Sequence, residues 1–224
     1  AAAAKGIVAA GAKVYDCGLV STPSMFMTTV FEAFAFDGAI MITASHLPFN
    51  RNGYKFFDRD GGLEHDDITK VLETASGLAV ADADLSAVEK VDSISVYCGF
   101  LQEKIRKRIN ADDYDRPLAG LHIVVDTGNG AGGFFVEKVL DPLGADTTGS
   151  QFLEPDGHFP NHIPNPENRE AMEAIRQAVL ENKADLGIIF DTDVDRMSAV
   201  LPNGDEVNRD AIIAMMTAII AGDY

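Results

Sequence analysis

Three short apolar runs constrain the fold of this chain more than any other feature of its sequence. They occupy residues 38–43, 121–126 and 185–190, and a polar loop follows each of them. Continuous apolar runs of this length are typical of strands that are buried on both faces of a sheet. Segments with helical periodicity lie between them, so the sequence predicts an α/β fold with a largely parallel sheet. Ligands of such sheets bind beyond the carboxyl ends of the strands, which makes the three loops candidate sites.

The rest of the pattern predicts the surrounding elements. Helices are expected at residues 1–11, 25–36, 65–76, 97–109, 134–140, 168–182 and 208–220. Further strands are expected at 13–17 and 197–201, a polar, turn-rich segment at 44–60 and a less regular one at 81–95. Ser21 or Thr22 is expected to cap the second helix, with Pro23 in its first turn. The apolar segment 211–221 is shorter than the roughly 20 residues that span a bilayer, and it predicts a buried helix.

Net charge limits the partners that this chain can have. The 224 residues are 46% hydrophobic and 24% charged, which is ordinary for a globular protein, but 18 basic residues against 35 acidic ones give a net charge of −17. A surface this acidic repels nucleic-acid backbones and anionic membranes, so we expect neither as a partner. An anionic small substrate is still compatible with this charge, because a local basic cluster can outweigh the global field.

The cysteines and the termini bear on where the protein works. Cys17 and Cys98 form neither a disulfide framework nor a metal-binding spacing, so they are interpreted as reduced thiols. The first residues lack the features of a signal peptide, and together these observations predict a cytoplasmic protein. The chain has no initiator Met and opens within a predicted helix, which suggests a piece of a longer protein.

Three alternating aspartates follow the third apolar run. In an extended backbone Asp191, Asp193 and Asp195 share one face, so their oxygens converge at the end of a strand. A hard divalent cation, above all Mg²⁺, is the natural neutraliser of such a cluster, and Arg196 adds a donor suited to phosphate. A calcium loop is excluded, because its sixth position would be Arg196 and its twelfth Pro202. A solvated acidic turn stays open as the alternative.

A serine and a histidine follow the first apolar run. Ser45 and His46 are adjacent and so cannot easily form a protease-type couple, in which the base must face the hydroxyl. A hydroxyl flanked by His46, Arg51 and Lys55 suits a phosphate acceptor better. The turn at 52–53 can fold Lys55 back toward Ser45, where a lysine of lowered pKa could shuttle a proton. A purely structural capped loop is the alternative.

Two further loops have ambiguous signatures. Residues 128–133 fit the G-x-G-x-x-G pattern between a strand and a helix, which is typical of dinucleotide binding, with Asp146 as the nearest ribose-binding acid. A tight turn that needs small residues explains the same pattern. Residues 155–166 form a loop with four prolines, in which His158 and His162 are not expected to make a zinc pair.

Together these pieces resemble the α-D-phosphohexomutase superfamily, which contains phosphoglucomutases and phosphomannomutases. Residues 43–56 resemble its phosphoserine loop, residues 155–166 its second-domain loop and residues 191–196 its metal loop, in the family's order. Leu47 stands where the family usually has Asn, and Thr192 where it usually has Gly. The resemblance also explains the glycine loop as a turn of the second domain.

The resemblance implies two mixed, mostly parallel α/β domains from a larger four-domain enzyme. Domain I would cover residues 1–95, domain II residues 96–204, and the start of domain III residues 205–224. It implies a phosphohexomutase that moves a phosphoryl group between the 1- and 6-positions of glucose or mannose phosphate, through a phosphoserine and a bisphosphosugar. Glucose 1,6-bisphosphate, or its mannose equivalent, would be the activator.

The resemblance also assigns roles to residues. Ser45 would carry the phosphate, and one phosphate oxygen would bind Mg²⁺. The remaining ligands would be Asp191, Asp193 and Asp195. Arg196 and Lys55 would face the transferring group, with His46 assisting catalysis. A nucleotide-binding oxidoreductase domain built on residues 128–133, and an inactive fragment of a mutase, stay open as alternatives, as do the choice of hexose and the oligomeric state.

Overall fold

The computed structural model describes residues 1–79 and 82–222. The chain divides into two compact units, the first made of Ala1–Thr43 and Gly53–Tyr97 and the second of Ala44–Asn52 and Cys98–Tyr224. The first residue of the predicted irregular segment 81–95 and the last two residues of the predicted domain III segment 205–224 lie outside the described residues.

The first unit alternates helices with short strands. Its elements are α1 (Ala2–Ala9), β1 (Tyr15–Asp16), α2 (Thr22–Val30), β2 (Ala39–Ile42), β3 (Tyr54–Phe57), α3 (His65–Ser76) and β4 (Glu89–Lys90). Strand β1 pairs with β4 in parallel, and β2 pairs with β3 antiparallel. The predicted bounds of α3 are confirmed, whereas the short strand β4 lies in a segment that was predicted to be irregular.

Helix α2 begins as its sequence predicts but ends early. The Ser21 side chain accepts a hydrogen bond from the Ser24 backbone N–H at 3.2 Å, and Pro23 occupies the first turn. The helix stops at Val30 because the backbone of Phe31 is extended, with φ −66° and ψ 129°. The prediction that it continues to residue 36 is therefore wrong. Phe36 instead stacks on Tyr15, with ring centroids 4.6 Å apart.

Strand β2 is less buried than its apolar sequence predicts. Ala39 and Met41 are buried, but Ile42 is 50% exposed, so the expectation of burial on both faces is wrong. The partner strand β3 lies in the segment 44–60 that was predicted to be loop, and its register pairs Ile42 with Tyr54. The Thr43 N–H donates to the Gly53 carbonyl at 3.1 Å and continues the hairpin beyond the strands.

The second unit is built on a mixed three-stranded sheet. Its elements are the C-terminal part of α4 (Ser93–Ile109), then β5 (Ile123–Asp126), α5 (Arg169–Asn182), β6 (Leu186–Phe190), β7 (Met197–Val200) and α6 (Arg209–Ala221). Strands β5 and β6 are parallel and β6 and β7 antiparallel. The segment predicted as a helix at 134–140 is helical, but Val136–Leu140 forms a π-helical turn, and a 3-10 turn, Ala131–Gly133, precedes it.

Helix α5 covers the sheet of the second unit. The Asn168 side chain caps it by accepting from the N–H groups of Glu170 and Ala171. Its buried residues Ile175 and Val179 pack with residues of all three strands, and the members of this core are Val124, Ala171, Ile175, Ala178, Val179, Ala184, Ile189 and Val200. Because β5 and β6 run in parallel, the loops that follow Asp126 and Phe190 leave the sheet at the same edge.

Helix α6 has the predicted position but not the predicted burial. None of its residues is buried, and Ile213, Met215 and Ile220 are all more than half exposed. Its N-terminus is held by Arg209, whose guanidinium lies 3.2 Å from a carboxylate oxygen of Glu167. The apolar sequence predicted burial, but burial also requires a partner surface, and the described residues do not cover this helix.

Among residues 1–79 and 82–222, no helix combines the length and the apolar character that crossing a bilayer requires.

Candidate metal centre and the serine beside it

The three predicted ligands of a metal ion meet at the end of β6. One carboxylate oxygen from each of Asp191, Asp193 and Asp195 can be chosen so that all three lie within 4.8 Å of one another. Asp191 and Asp193 are buried, whereas Asp195 is exposed. The donors are all carboxylate oxygens, which hard divalent cations such as Mg²⁺ prefer. The donor set therefore fits a divalent cation.

A tight turn, rather than an extended backbone, brings the three carboxylates together. Val194 has φ 62°, an unusual conformation for a β-branched residue. The Asp191 carboxylate accepts hydrogen bonds at Oδ1 from the N–H groups of Asp195 and Arg196, at 3.1 and 3.0 Å. The sequence argument from alternation was therefore wrong about the backbone, although the convergence that it predicted is present.

The Asp191 carboxyl group has a raised pKa and contacts the Arg196 guanidinium. The pKa of this carboxyl group is raised to about 6, chiefly by burial and also by the negative charges of Asp193 and Asp195. The backbone hydrogen bond and the positive charge of Arg196 lower this pKa and offset part of the rise. The Arg196 guanidinium donates from Nη2 to Asp191 Oδ2 at 2.9 Å and from Nε at 3.2 Å. One guanidinium beside three carboxylates leaves an excess of negative charge, which a divalent cation can balance.

The structure places the hydroxyl of Ser45 against this loop. Residues 44–52 belong to the same compact unit as the aspartates. Ser45 Oγ accepts from Arg196 Nη2 at 2.8 Å and donates to Asp191 Oδ2 at 3.3 Å. The backbone of Ser45 has φ 51°, so the loop presents this residue in a left-handed conformation. The serine, the arginine and the aspartate therefore form one contiguous cluster.

His46 belongs to the same cluster, but its ring is engaged by Arg196. Nδ1 lies 3.4 Å from Ser45 Oγ and 2.6 Å from Arg196 Nη2. The distance to Ser45 Oγ is at the limit of a hydrogen bond, so the two adjacent side chains can meet, and whether they form a protease-type couple depends on what else Nδ1 contacts. A guanidinium can only donate, so Nδ1 accepts from Arg196 and its lone pair is not available to deprotonate Ser45. The geometry therefore does not support a serine–histidine nucleophile of the protease kind.

Lys55 is placed in the other unit. It lies on β3, opposite Met41 in the antiparallel register. Its predicted role as a proton shuttle stays a prediction.

Neighbouring atoms occupy the space that side chains at Gly128 and Gly130 would need. A Cβ on Gly130 would lie 2.6 Å from the Thr192 carbonyl oxygen, and the Ala131 N–H donates to that same oxygen at 2.8 Å. Gly128 has φ 52°, and a Cβ there would lie 2.8 Å from Pro164 Cβ. Close packing therefore explains these glycines, and the tight-turn interpretation is favoured over a dinucleotide cradle.

This packing leads to a prediction about nicotinamide cofactors. Calorimetric titration of the chain with NAD or NADP should show no saturable binding at micromolar concentrations, because Thr192 and Pro164 occupy the side of the loop that a pyrophosphate would need. Saturable heat from either nucleotide would revive the oxidoreductase alternative.

A buried ion pair beneath the glycine loop escaped the sequence analysis. His162 Nε2 lies 3.0 Å from Asp126 Oδ2, and both side chains are almost fully shielded from solvent. His158, in the same loop, is exposed and contacts Asp156 at 3.1 Å. The two histidines therefore have separate carboxylate partners. The sequence signal that could have indicated the buried ion pair is Asp126 at the end of the apolar strand β5, because a buried carboxylate requires a paired or hydrogen-bonded partner.

This pair predicts how stability changes with pH. Burial by itself lowers the pKa of His162, but the hydrogen bond and charge of Asp126 outweigh burial and raise that pKa above 6.5. The stabilisation is therefore complete below the unfolded pKa of about 6.5 and is lost as pH rises through the folded pKa. Thermal melts recorded at pH values rising from about 6.5 should show a loss of stability that His162→Gln lacks. Parallel curves for the two proteins would refute this assignment.

Comparisons with known proteins identify the family. The family profile described as phosphoglucomutase/phosphomannomutase, alpha/beta/alpha domain I, matches residues 1–77, and the profile of domain II matches residues 97–204. A phosphomannomutase/phosphoglucomutase from Pseudomonas putida is 34% identical over 213 residues, which are 94% of this chain and 42% of the relative. A phosphoglucosamine mutase from Thermobifida fusca is 35% identical over 221 residues, which are 96% of this chain and 46% of the relative.

The solved structures agree with the sequence relatives. A phosphoglucomutase/phosphomannomutase family protein from Burkholderia thailandensis superposes with a TM-score of 0.75 at 25% identity, over 98% of this chain and 47% of that one. The chain thus spans a little under half the length of the curated relatives it matches. The predicted mixed α/β fold and the motif resemblance are confirmed, and the chain belongs to the phosphoglucomutase/phosphomannomutase family of the α-D-phosphohexomutases.

Proposed function

We propose that this chain carries the phosphoserine and the metal site of a phosphohexomutase. The enzyme would move a phosphoryl group between the 1- and 6-positions of glucose or mannose phosphate, through a phosphoserine and a bisphosphosugar. The observation that supports this most is the position of Ser45 Oγ, 2.8 Å from Arg196 Nη2 and 3.3 Å from Asp191 Oδ2. A hydroxyl between a guanidinium and a metal-binding carboxylate suits a phosphate carrier.

The metal that we propose is Mg²⁺. Asp191, Asp193 and Asp195 would hold it, together with one oxygen of the phosphate on Ser45. When bound, it supplies positive charge that stabilises the transferring phosphoryl group. The all-oxygen donor set and its excess of negative charge support this choice.

The side chains of this protein would position the phosphate and move the proton. Arg196 can keep its contact with the serine oxygen and donate to phosphate oxygens through its planar fork. In the forward step the Ser45 Oγ–P bond breaks, a P–O bond forms to the sugar hydroxyl, and that hydroxyl's proton passes to Lys55. His46 assists from its position beside Arg196. In the return step Ser45 Oγ, which Arg196 holds after it is released, bonds to the other phosphorus of the bisphosphosugar. The bond from that phosphorus to the sugar oxygen breaks, and Lys55 returns its proton to the sugar oxygen. Phosphoryl transfer depends chiefly on such positioning and charge neutralisation.

The proposal extends to the organisation and setting of the protein. We propose domain I over residues 1–95, domain II over 96–204 and the start of domain III over 205–224. The substrate is a hexose phosphate, the activator a hexose 1,6-bisphosphate, and the protein works in the cytoplasm. The relatives carry different names, phosphomannomutase/phosphoglucomutase and phosphoglucosamine mutase, so the family alone does not select the sugar.

An assay of the full-length protein tests this function. Conversion of glucose 1-phosphate or mannose 1-phosphate to the 6-phosphate should require glucose 1,6-bisphosphate, stop with EDTA and resume with Mg²⁺. The 224-residue chain by itself should be inactive or feeble in the same assay, because it spans less than half of its relatives. Full activity in EDTA-treated, metal-free protein would contradict the role of the aspartates.

A further inference from the structure

The carboxylate of Asp126 is buried at the end of β5 and is surrounded by donors. Oδ1 accepts from the Gly128 N–H at 2.8 Å, and Oδ2 accepts from Gln151 Nε2 at 2.7 Å. His162 Nε2 lies 3.1 Å from Oδ1 and 3.0 Å from Oδ2. Burying a carboxylate is costly unless it is paired and hydrogen-bonded, and here both oxygens are used. The charge is therefore held in one place by three partners.

The ring of His162 is equally constrained. Its Nδ1 lies 3.0 Å from the Ile163 carbonyl oxygen, and its Nε2 faces the Asp126 carboxylate. Both neighbours are oxygen acceptors, and the imidazolium, which donates from both ring nitrogens, satisfies both contacts. The side chain is 2% exposed, so water does not compete for these contacts. His162 and Asp126 therefore form a buried ion pair with a fixed ring orientation.

The glycine loop lies between this ion pair and the metal loop. On one side, a Cβ on Gly128 would lie 3.0 Å from His162 Cε1. On the other side, the Ala131 N–H donates to the Thr192 carbonyl at 2.8 Å, and Gly130 approaches the same oxygen too closely to allow a side chain. The loop thus packs closely against both and can transmit a displacement from His162 to Thr192.

Thr192 lies between two of the proposed metal ligands. Its backbone sets the positions from which Asp191 and Asp193 extend their buried carboxylates. We infer that the His162–Asp126 ion pair is a positioning element for the metal loop, acting through the glycine loop on Thr192. The inference deepens the proposed function and rests on it for the use made of the metal. His162 and Asp126 would touch neither the metal nor the substrate.

Amide hydrogen exchange in the metal-free 224-residue chain tests the positioning directly. The reporters are three N–H groups that donate to the metal loop. The Ala131 N–H donates to the Thr192 carbonyl oxygen, and the N–H groups of Asp195 and Arg196 donate to Asp191 Oδ1. His162→Gln should speed their exchange about tenfold or more, while amides of the α5 core keep their protection. The matched control is His158→Gln, which alters an exposed histidine of the same loop and should change none of the three.

A second variant guards against a failure to fold. Asp126→Asn keeps the side-chain shape but removes the charge, so it should loosen the same three amides as His162→Gln. A purely structural pair would speed exchange across the whole unit or leave the reporters unchanged. Unchanged exchange at all three amides in either folded variant would overturn the inference.

Metal titration provides the second readout and separates this inference from the proposed function. Mn²⁺ affinity, measured well below the melting temperature of each variant, should weaken about tenfold in His162→Gln, as for other residues that orient ligands. It should be unchanged in His158→Gln. If wild type binds no Mn²⁺, the proposed metal site fails, while the exchange data still decide whether the pair positions the loop. Equal Mn²⁺ affinity in wild type and His162→Gln would count against the inference.

Discussion

Replacing Ser45 with alanine in the full-length protein should reduce mutase turnover by at least about 10⁴-fold. The reason is that the hydroxyl is the proposed acceptor of the phosphate, and removing a nucleophile leaves only the catalysis that binding and charge provide. The neighbours of the hydroxyl, Arg196 and Asp191, remain in place in this variant. The measurement is the conversion of hexose 1-phosphate to hexose 6-phosphate with saturating bisphosphate and Mg²⁺.

Ser76→Ala is the matched control for this variant. Ser76 is an exposed serine in the last turn of α3, and its hydroxyl donates to the Glu73 carbonyl. Its removal should leave turnover unchanged. Wild-type turnover in Ser45→Ala would show that the loop after β2 is only structural.

Replacing Asp193 with alanine should abolish the divalent cation site. Its carboxylate is buried and supplies one of the three oxygen donors of the cluster. We expect Mn²⁺ or Mg²⁺ affinity to fall by more than about 100-fold, since residues that only orient ligands already account for 10–100-fold. Isothermal titration of the 224-residue chain measures this, and circular dichroism checks that the fold survives.

The control for Asp193→Ala removes one negative charge elsewhere in the same unit. Asp112 is exposed and lies in the irregular segment between α4 and β5, so Asp112→Ala should keep wild-type affinity. Loss of affinity in both variants would indicate a non-specific charge effect. Undiminished binding in Asp193→Ala would remove this aspartate from the ligand set.

The sequence predicted the location of the cluster better than its shape. The rule that ligands lie beyond strand ends selected the loops after β2 and β6, and these loops contain Ser45 and the three aspartates. It did not anticipate the turn at Val194, since a β-branched residue with positive φ is disfavoured locally and depends on its surroundings. The local sequence gives no signal for the contact between Arg196 and Ser45, which joins residues 151 positions apart. The expectation that Arg196 faces the phosphate on Ser45 rested on the family resemblance.

Elements that depend on tertiary contacts were the least predictable. Strand β3 contains only Tyr54–Phe57 and has no signal of its own beyond a short apolar alternation, so its pairing with β2 was missed. Helix α6 was expected to be buried because of its composition, yet the described residues leave it exposed. The ion pair of Asp126 and His162 links residues 36 positions apart, and nothing in either local sequence indicates the partner.

The most direct test of the account is to locate the phosphate. The full-length protein should be incubated with glucose 1,6-bisphosphate and Mg²⁺, digested, and analysed by peptide mass spectrometry. The account predicts one added phosphate, on the peptide that contains Ser45 and on Ser45 itself, and none in Ser45→Ala. Phosphate on a different residue, or none in a protein that still catalyses the mutase reaction, would contradict it.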